Sequence, residues 1–326
     1  MKTTGYLRFF LFSIAGALLL FAPYCCTREK ANTLPELSTI PLTNIMSGSF
    51  ISGGRITSDG GETVTGRGVC WSTNVNPTLS DNYTTDGEGA GTYLSTVTGL
   101  ASGTFYYVRA YATNDAGTAY GNEFLFDTPL TDPDGNVYKT IIIGTQVWMT
   151  QNLKTTTFSD NTPIPNIIIN ETWVSLYSPG YCWYKNNAAA NKDPYGALYN
   201  WFAVNTGKLC PEGWHVPTEA EWVSLTNYFG GVYTASGKLK ETTTIHWNFP
   251  NLGASNDLGF TALPGGYRTG IGSGSFRTFG YYGWFWASAE SSPTAARSRL
   301  LTYDAAEIAL GDGLKKNGYS VRCIKN

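Results

Sequence analysis

The chain is poor in charge. Asp, Glu, Lys and Arg supply 14% of its 326 residues, against ~25% in an ordinary soluble domain. Its 22 basic and 24 acidic residues give a formal charge of −2, and the basic ones form no stripe. That excludes the electrostatic footprint of a nucleic-acid binder. Histidine is scarcer still, with His215 and His246 the two in the chain. No Ser-His-Asp ordering, phosphate loop or two-histidine metal spacing is present. No catalytic residue, metal ligand or cofactor is therefore expected, and the chain reads as a non-enzyme. No apolar run reaches the ~20 residues that span a bilayer comfortably. Glycine (37 residues) and aromatic side chains (14%) take up the room, which suggests strand-rich domains with a neutral polar surface.

The N-terminus reads as a targeting segment. Lys2 and Arg8 flank the start of an apolar run from Phe9 to Phe21, which breaks at Pro23 before Cys25 and Cys26. A charged start and a short apolar core make the signal-peptide pattern. A cysteine directly after the core resembles the lipobox of bacterial lipoproteins. Tyr24 sits where that motif prefers a small residue; if Cys26 is the acceptor, Cys25 fills the small position instead. The resemblance implies a signal peptide over residues 1–25, a lipidated Cys25 or Cys26, and a polar tether over residues 26–34. A membrane is then an expected partner, held through acyl chains at about 0.8 kcal/mol per buried methylene. The expected location is the bacterial envelope, at the outer membrane or cell surface. Removal of Lys2 and Arg8 takes the formal charge from −2 to −4. An exported chain can keep disulfides. Cys70, Cys182, Cys210 and Cys323 allow three full pairings, and spacing alone does not choose among them.

Residues 35–128 carry short strand-like runs separated by Gly, Asn and Asp: Ile45–Ile56, Gly66–Ser72, Tyr93–Leu100, Thr104–Thr113 and Gly117–Phe126. Such spacing predicts a β-sandwich. The clearest run places Tyr106, Val108, Ala110 and Ala112 on one face and Phe105, Tyr107, Arg109 and Tyr111 on the other. That alternation predicts a half-buried antiparallel strand. Leu100, Tyr106 and the following Asn114-Asp-Ala-Gly117 are similar to the end of a fibronectin type III domain. The resemblance implies that Tyr106 is a tyrosine corner, its hydroxyl capping upstream backbone. It implies that Gly68–Ser72 is a core strand with Trp71 as its aromatic. The sandwich is expected to act as a spacer, with Cys70 a buried free thiol.

A second unit spans residues 132–326. Tyr138–Ile143, Gly144-Thr145 and Gln146–Met149 read as a hairpin with a two-residue turn. Asp132, Asp134 and Asn136 are spaced like part of a calcium loop, but no Glu closes it, and a side-chain-supported turn is expected. Asp193-Pro194 predicts the N-cap and first residue of a helix carrying Leu198, Trp201 and Phe202 and ending at Gly207. Thr218-Glu-Ala-Glu221 is a capping box opening a helix with Trp222, Leu225 and Phe229 as its stripe, stopped by Gly230-Gly231. Glu219 and Glu221 are thereby given structural work. Beyond Thr243 the chain is loop-rich and aromatic. Trp284 and Trp286 are expected in the core, while Tyr267, Arg268 and Arg277 are the candidate ligand contacts at the surface.

Several of these segments carry a sharper resemblance. Asp134-Gly-Asn-Val-Tyr138, Ile143 to Lys154, Cys210-Pro-Glu-Gly-Trp-His-Val-Pro-Thr-Glu-Ala-Glu-Trp222, Gly259 to Arg268 and Ser320-Val-Arg-Cys323 look like the Fibrobacter succinogenes major paralogous domain. More distantly, they are similar to the formylglycine-generating enzymes. This implies a C-type-lectin-like α+β fold with paired chain ends and a Cys210–Cys323 disulfide, worth roughly 2–4 kcal/mol. The enzymes of that group use a close pair of cysteines near the C-terminus; here that region holds Cys323 alone. The Glu-Pro-Asn, Gln-Pro-Asp and Trp-Asn-Asp triplets of calcium-dependent lectins are also missing, with Trp286-Ala-Ser288 in place of the last. The expectation is thus a multidomain, envelope-anchored, non-catalytic protein whose C-terminal domain binds a carbohydrate or protein. An enzyme of the formylglycine-generating type and a purely structural surface protein are the alternatives.

Overall fold

The computed structural model describes Met1 and residues 32–326. Cys25, Cys26, the signal segment and most of the tether lie outside the described residues.

Eight strands build the first domain: β1 (Glu36–Met46), β2 (Ser49–Ser58), β3 (Gly66–Ser72), β4 (Asn82–Tyr83), β5 (Gly91–Thr98), β6 (Phe105–Asn114), β7 (Gly117–Tyr120) and β8 (Phe124–Asp127). They form two antiparallel sheets, β1-β2-β5 and β4-β3-β6-β7, with β8 following β7 along the same edge of β6. This is the expected fibronectin type III-like sandwich. The alternating run is β6, and its even face is buried throughout. Tyr106, Val108 and Phe126 close one core cluster with Phe50, Val69 and Val97. Each such side chain contributes roughly 1.5–3 kcal/mol on burial.

The tyrosine corner is in place: the Ala101 N–H donates to the Tyr106 hydroxyl at 3.1 Å. Trp71 is half-buried at the margin of the core rather than at its centre. The run expected as one strand from Ile45 to Ile56 is two, because a turn at Ser47-Gly48 folds β2 back onto β1. Cys70 is buried and free, and burial pushes its thiol up to about 11.

The second unit starts with β9 (Leu130–Thr131), β10 (Val137–Tyr138), β11 (Thr140–Ile143) and β12 (Gln146–Met149). The β11–β12 hairpin turns at Gly144-Thr145 as expected, but its first strand begins at Thr140, because Tyr138 pairs with Leu130 in β9 instead. In the preceding turn, Asp132 is buried and acceptor-saturated. One of its oxygens takes the N–H groups of Asp134 and Asn136 at 3.0 and 2.9 Å; the other takes the Asn136 amide and the Tyr138 hydroxyl at 2.8 and 2.6 Å. The spacing therefore serves a turn.

Then come α1 (Asn170–Ser175), β13 (Tyr181–Cys182), α2 (Ala188–Asn191), β14 (Leu198–Tyr199), α3 (Trp201–Val204), β15 (Trp214–His215), α4 (Glu219–Tyr228) and α5 (Val232–Leu239). The chain closes with β16 (Tyr267–Arg268), β17 (Phe276–Arg277), β18 (Tyr282–Glu290), β19 (Ala295–Thr302), β20 (Ile308–Leu314) and β21 (Ile324–Lys325). The sheet β11-β12-β21-β15 pairs the two ends of the unit, and β18-β19-β20 forms its other main sheet. Cys210 is bonded to Cys323, while Cys182 is buried and free.

The capping box of α4 is complete. Thr218 accepts from the Glu221 N–H at 3.3 Å, and the Glu221 carboxylate takes the Thr218 N–H at 2.7 Å. Glu219 clasps buried Arg299 through two bonds of 2.8 and 3.1 Å. The helix expected from Asp193 is shorter. Its cap is Asn200, which accepts from the Ala203 N–H at 3.1 Å, and α3 spans four residues. Leu198 and Tyr199 are drawn into strand pairing with β13, and Gly196 takes a positive φ of 74° that ends any helix before them.

Candidate binding cleft

Little of the C-terminal unit is ladder, so many backbone carbonyls need other donors. Buried cations supply them. Arg268 has no exposed surface. Its guanidinium donates to the carbonyls of Gly274 (3.0 Å), Ile167 and Ile168 (3.2 Å), and to the Asn170 side chain (2.8 Å). It also packs between the Trp173 and Phe276 rings at 4.7 and 4.9 Å. The expectation of Arg268 as a surface ligand contact is therefore corrected: it ties the segment before α1 to the glycine-rich loop after β16. Tyr267 is half-buried, edge-on to Trp284 and Tyr319 at 5.9 and 5.8 Å. Of the three expected contacts Arg277 alone is exposed; half-buried Tyr267 stands opposite it in the β16–β17 pair, and Arg268 is withdrawn from the surface. Trp286 is core, its indole N–H donating to the Tyr199 carbonyl at 2.8 Å; Trp284 is half-buried and stacked on Tyr319 at 4.9 Å.

A second cation clamp builds a site that the sequence reading missed. Lys240 directly follows α5 and is fully buried. Its ammonium donates to the carbonyls of Leu252, Thr302 and Ala305 at 2.9, 2.8 and 2.9 Å. Burial pushes its pKa down to about 8, so it remains the donor at neutral pH. The loop Glu241–Leu252 is thereby closed at its base. Asn251 reinforces the closure, donating to the carbonyls of Glu241 and Thr243 at 2.7 and 3.0 Å. Trp247 points inward and donates to the Ala262 carbonyl at 2.9 Å. The Asn248 N–H donates to the Gly280 carbonyl at 2.8 Å.

The pinned loop has two kinds of side chain. Glu241 and His246 line a cleft of about 210 Å³, together with Lys154, Asp193, Thr261 and Arg322. The Glu241 carboxylate meets His246 Nδ1 at 2.8 and 2.9 Å. A carboxylate oxygen accepts, so Nδ1 donates in this contact, and Nε2 has no hydrogen-bond partner among the described residues. Lys154 pairs with exposed Asp193. Arg322 sits buried at the floor, held by Asn152 at 2.9 Å and by the carbonyls of Thr261 (2.7 Å) and Phe260. Burial pushes the Arg322 pKa down to about 9. In contrast, Ile245 and Phe249 on the same loop are 79% and 83% exposed. The sequence held one hint of this: four large apolar residues, Ile245, Trp247, Phe249 and Leu252, in a segment otherwise rich in Thr and Asn.

The other histidine is structural. His215 bridges the Asn326 side chain (2.7 Å) and Glu221 (2.9 Å), tying the chain end to the start of α4. Among the described residues no group of three or more His, Cys, Asp or Glu side chains is placed to hold a metal, and no helix is long and apolar enough to cross a membrane.

Solved structures similar to this chain include a stretch of titin domains, at 21% identity over 29% of this chain and 31% of that one, with a TM-score of 0.22. A human fibronectin type III domain aligns at 24% identity over 30% and 85% of the two chains, TM-score 0.24. A fibronectin type III-like protein from Clostridium thermocellum aligns at 21% over 31% and 98%, TM-score 0.21. Among curated proteins none matches. The family described as the Fibrobacter succinogenes major domain matches residues 141–325, which takes in the hairpin, the capping-box helix, the disulfide and the cleft. The chain belongs to the Fibrobacter succinogenes major domain family.

Proposed function

We propose that this is an exported, lipid-anchored surface protein. Its C-terminal domain binds a carbohydrate or protein ligand without turning it over, and the sandwich serves as spacer. The observation that supports binding is the loop Glu241–Leu252. It is locked by Lys240 and Asn251, contributes Glu241 and His246 to a polar cleft, and leaves Phe249, three residues after His246, 83% exposed. A rigid loop has already met the ordering cost that weakens flexible binders, and an exposed aromatic returns little to the fold but much to an interface. The reading as an enzyme of the formylglycine-generating type needs a reactive cysteine pair near the C-terminus, and Cys323 is tied to Cys210.

The spacer reading rests on how the sandwich meets the second unit. Ser102, in the β5–β6 turn, donates to the Pro129 carbonyl at 2.9 Å and accepts from the Thr131 N–H at 3.1 Å. Lys325 donates to the Thr104 hydroxyl at 2.7 Å. The anchor rests on the sequence around Cys25 and Cys26.

Labelled envelope glycans and surface proteins, passed over the immobilised full chain, test the binding role. Retention should fall at least tenfold for Phe249→Ala and for His246→Ala, with the melting temperature unchanged. Equal retention by all three proteins would remove the cleft from the account. In cells, radiolabelled palmitate should enter the wild type and not Cys25→Ser/Cys26→Ser; no label in the wild type would end the lipoprotein reading.

A further inference from the structure

The chemistry of the cleft narrows its ligand. It carries both signs of charge in one small volume: Lys154, Lys192 and Arg322 against Asp193 and Glu241. Lys154 is answered by Asp193, and Glu241 by the His246 ring. An anion entering the cleft would meet two carboxylates, and a cation would meet three basic groups. Neither finds a field of one sign, so neither is selected. Arg322 offers no exception, because its guanidinium is turned to the Asn152 side chain and the carbonyls of Phe260 and Thr261.

Hydrogen-bonding capacity remains. An ammonium has three donors, and Lys154 spends one on Asp193. Asp193 keeps its second oxygen, since the bond from Lys154 falls on Oδ1. His246 keeps Nε2, which has no partner among the described residues. Gln151 and Thr150 add side-chain groups of both kinds. Donors and acceptors are thus interspersed, the pattern that suits hydroxyl groups, each of which gives one hydrogen bond and takes others. At about 210 Å³ the cleft is below the ~300 Å³ at which pockets for drug-sized ligands begin. It holds one small unit, not a folded peptide segment. Ile245 and Phe249 do not line it, but they stand exposed on the loop that carries Glu241 and His246.

Resting on the binding role proposed above, we infer that the ligand is a neutral saccharide. One sugar unit enters the cleft by its hydroxyls, and a neighbouring unit lays its C–H face on Phe249. The polar contacts in this mode come from lysine, carboxylate, imidazole, amide and hydroxyl side chains, so binding should persist with calcium chelated.

Isothermal titration of the full chain tests this. The probes are neutral hexasaccharides of glucose, xylose, mannose and N-acetylglucosamine, with a galacturonic acid hexamer as the acidic arm, all in buffer containing a calcium chelator. At least one neutral hexamer should bind. Phe249→Ala and His246→Ala should each weaken it tenfold or more, and Glu241→Gln should do so by loosening the imidazole. Circular dichroism should show these variants folded, and Arg297→Ala, which removes only a half-exposed ion pair with Asp312 at 3.0 Å, should bind as the wild type does. Binding of the acidic hexamer alone, lost in the same variants, would overturn the neutral-saccharide assignment while leaving the cleft as the site. Saccharide binding indifferent to all three loop variants would overturn both. Failure of every hexamer to bind at millimolar concentration would overturn the saccharide assignment, and retention of a surface protein through Phe249 would then still uphold the cleft.

Discussion

The two domains solve the same problem with ladders and side-chain clamps in different proportion. In the sandwich, backbone groups are satisfied along continuous ladders, as in the eight-residue register of β2 against β5 and the seven-residue register of β3 against β6. In the C-terminal unit β19 and β20 pair over seven residues, but sheets such as β13-β14 and β16-β17 are two residues deep, and fully buried basic side chains reach in to serve loop carbonyls. Arg268, Lys240 and Arg322 are each buried and each donate to two or more carbonyls of distant segments. A ladder is local and redundant. A clamp is neither, so its loss frees whole loops. The low charge content of the chain hides this use of charge, because the cations concerned are inside.

The largest expected effect follows directly. Arg268→Met leaves four acceptors without their donor, and at about 1 kcal/mol for each lost bond the C-terminal unit should lose about 3–4 kcal/mol. Denaturant titration would show it as a lower midpoint for that unit with the sandwich transition unmoved. Next is the disulfide, which closes a sequence separation of 113 residues. Cys210→Ser/Cys323→Ser should cost about 2–4 kcal/mol, again in the C-terminal transition. A cost below 1 kcal/mol would mean that the β12–β21 pairing holds the ends without it.

Smaller effects sharpen the contrast. Tyr106→Phe strands the Ala101 N–H and should cost the sandwich about 1 kcal/mol, while Thr218→Ala should cost the other unit a similar amount, about 1 kcal/mol. A shift in the wrong domain's transition would show that the two melt as one. The mildest test is acid. Burial alone would raise the Glu221 carboxyl, but the Thr218 N–H, the His215 ring and the Thr218 hydroxyl together hold it below its ordinary value. The folded form therefore binds fewer protons than the unfolded one. The stabilisation is fully present above the unfolded pKa, roughly 4.3, and is lost as pH falls through the lower folded value. Glu221→Gln should flatten that part of the stability profile; an unchanged slope would assign the acid sensitivity elsewhere.

Legibility followed locality. The capping box at Thr218, the Gly144-Thr145 hairpin, the alternation in β6 and the tyrosine corner are short-range rules, and each holds. The helix expected at Asp193 does not, because Tyr199 bonds across to Tyr319, a partner that no local window contains. Helix α5 was missed because Val-Tyr-Thr-Ala-Ser-Gly is a weak helical sequence, supported here by packing against β20. Arg268 was misread for a related reason. An arginine between glycines looks exposed until the loop carbonyls it serves are seen around it. The cleft was invisible because Lys154, Asp193, Glu241 and His246 come from three separate segments.

The measurement that bears most directly on this account is amide hydrogen exchange of Arg268→Met against the wild type. If buried cations hold the C-terminal unit together, exchange should quicken by at least tenfold at Ile167–Trp173 and Thr269–Ser275, while β2, β5 and β6 keep their protection. Unchanged protection in those two segments, or equal loss in both domains, would contradict the claim that side-chain clamps do here what ladders do in the sandwich.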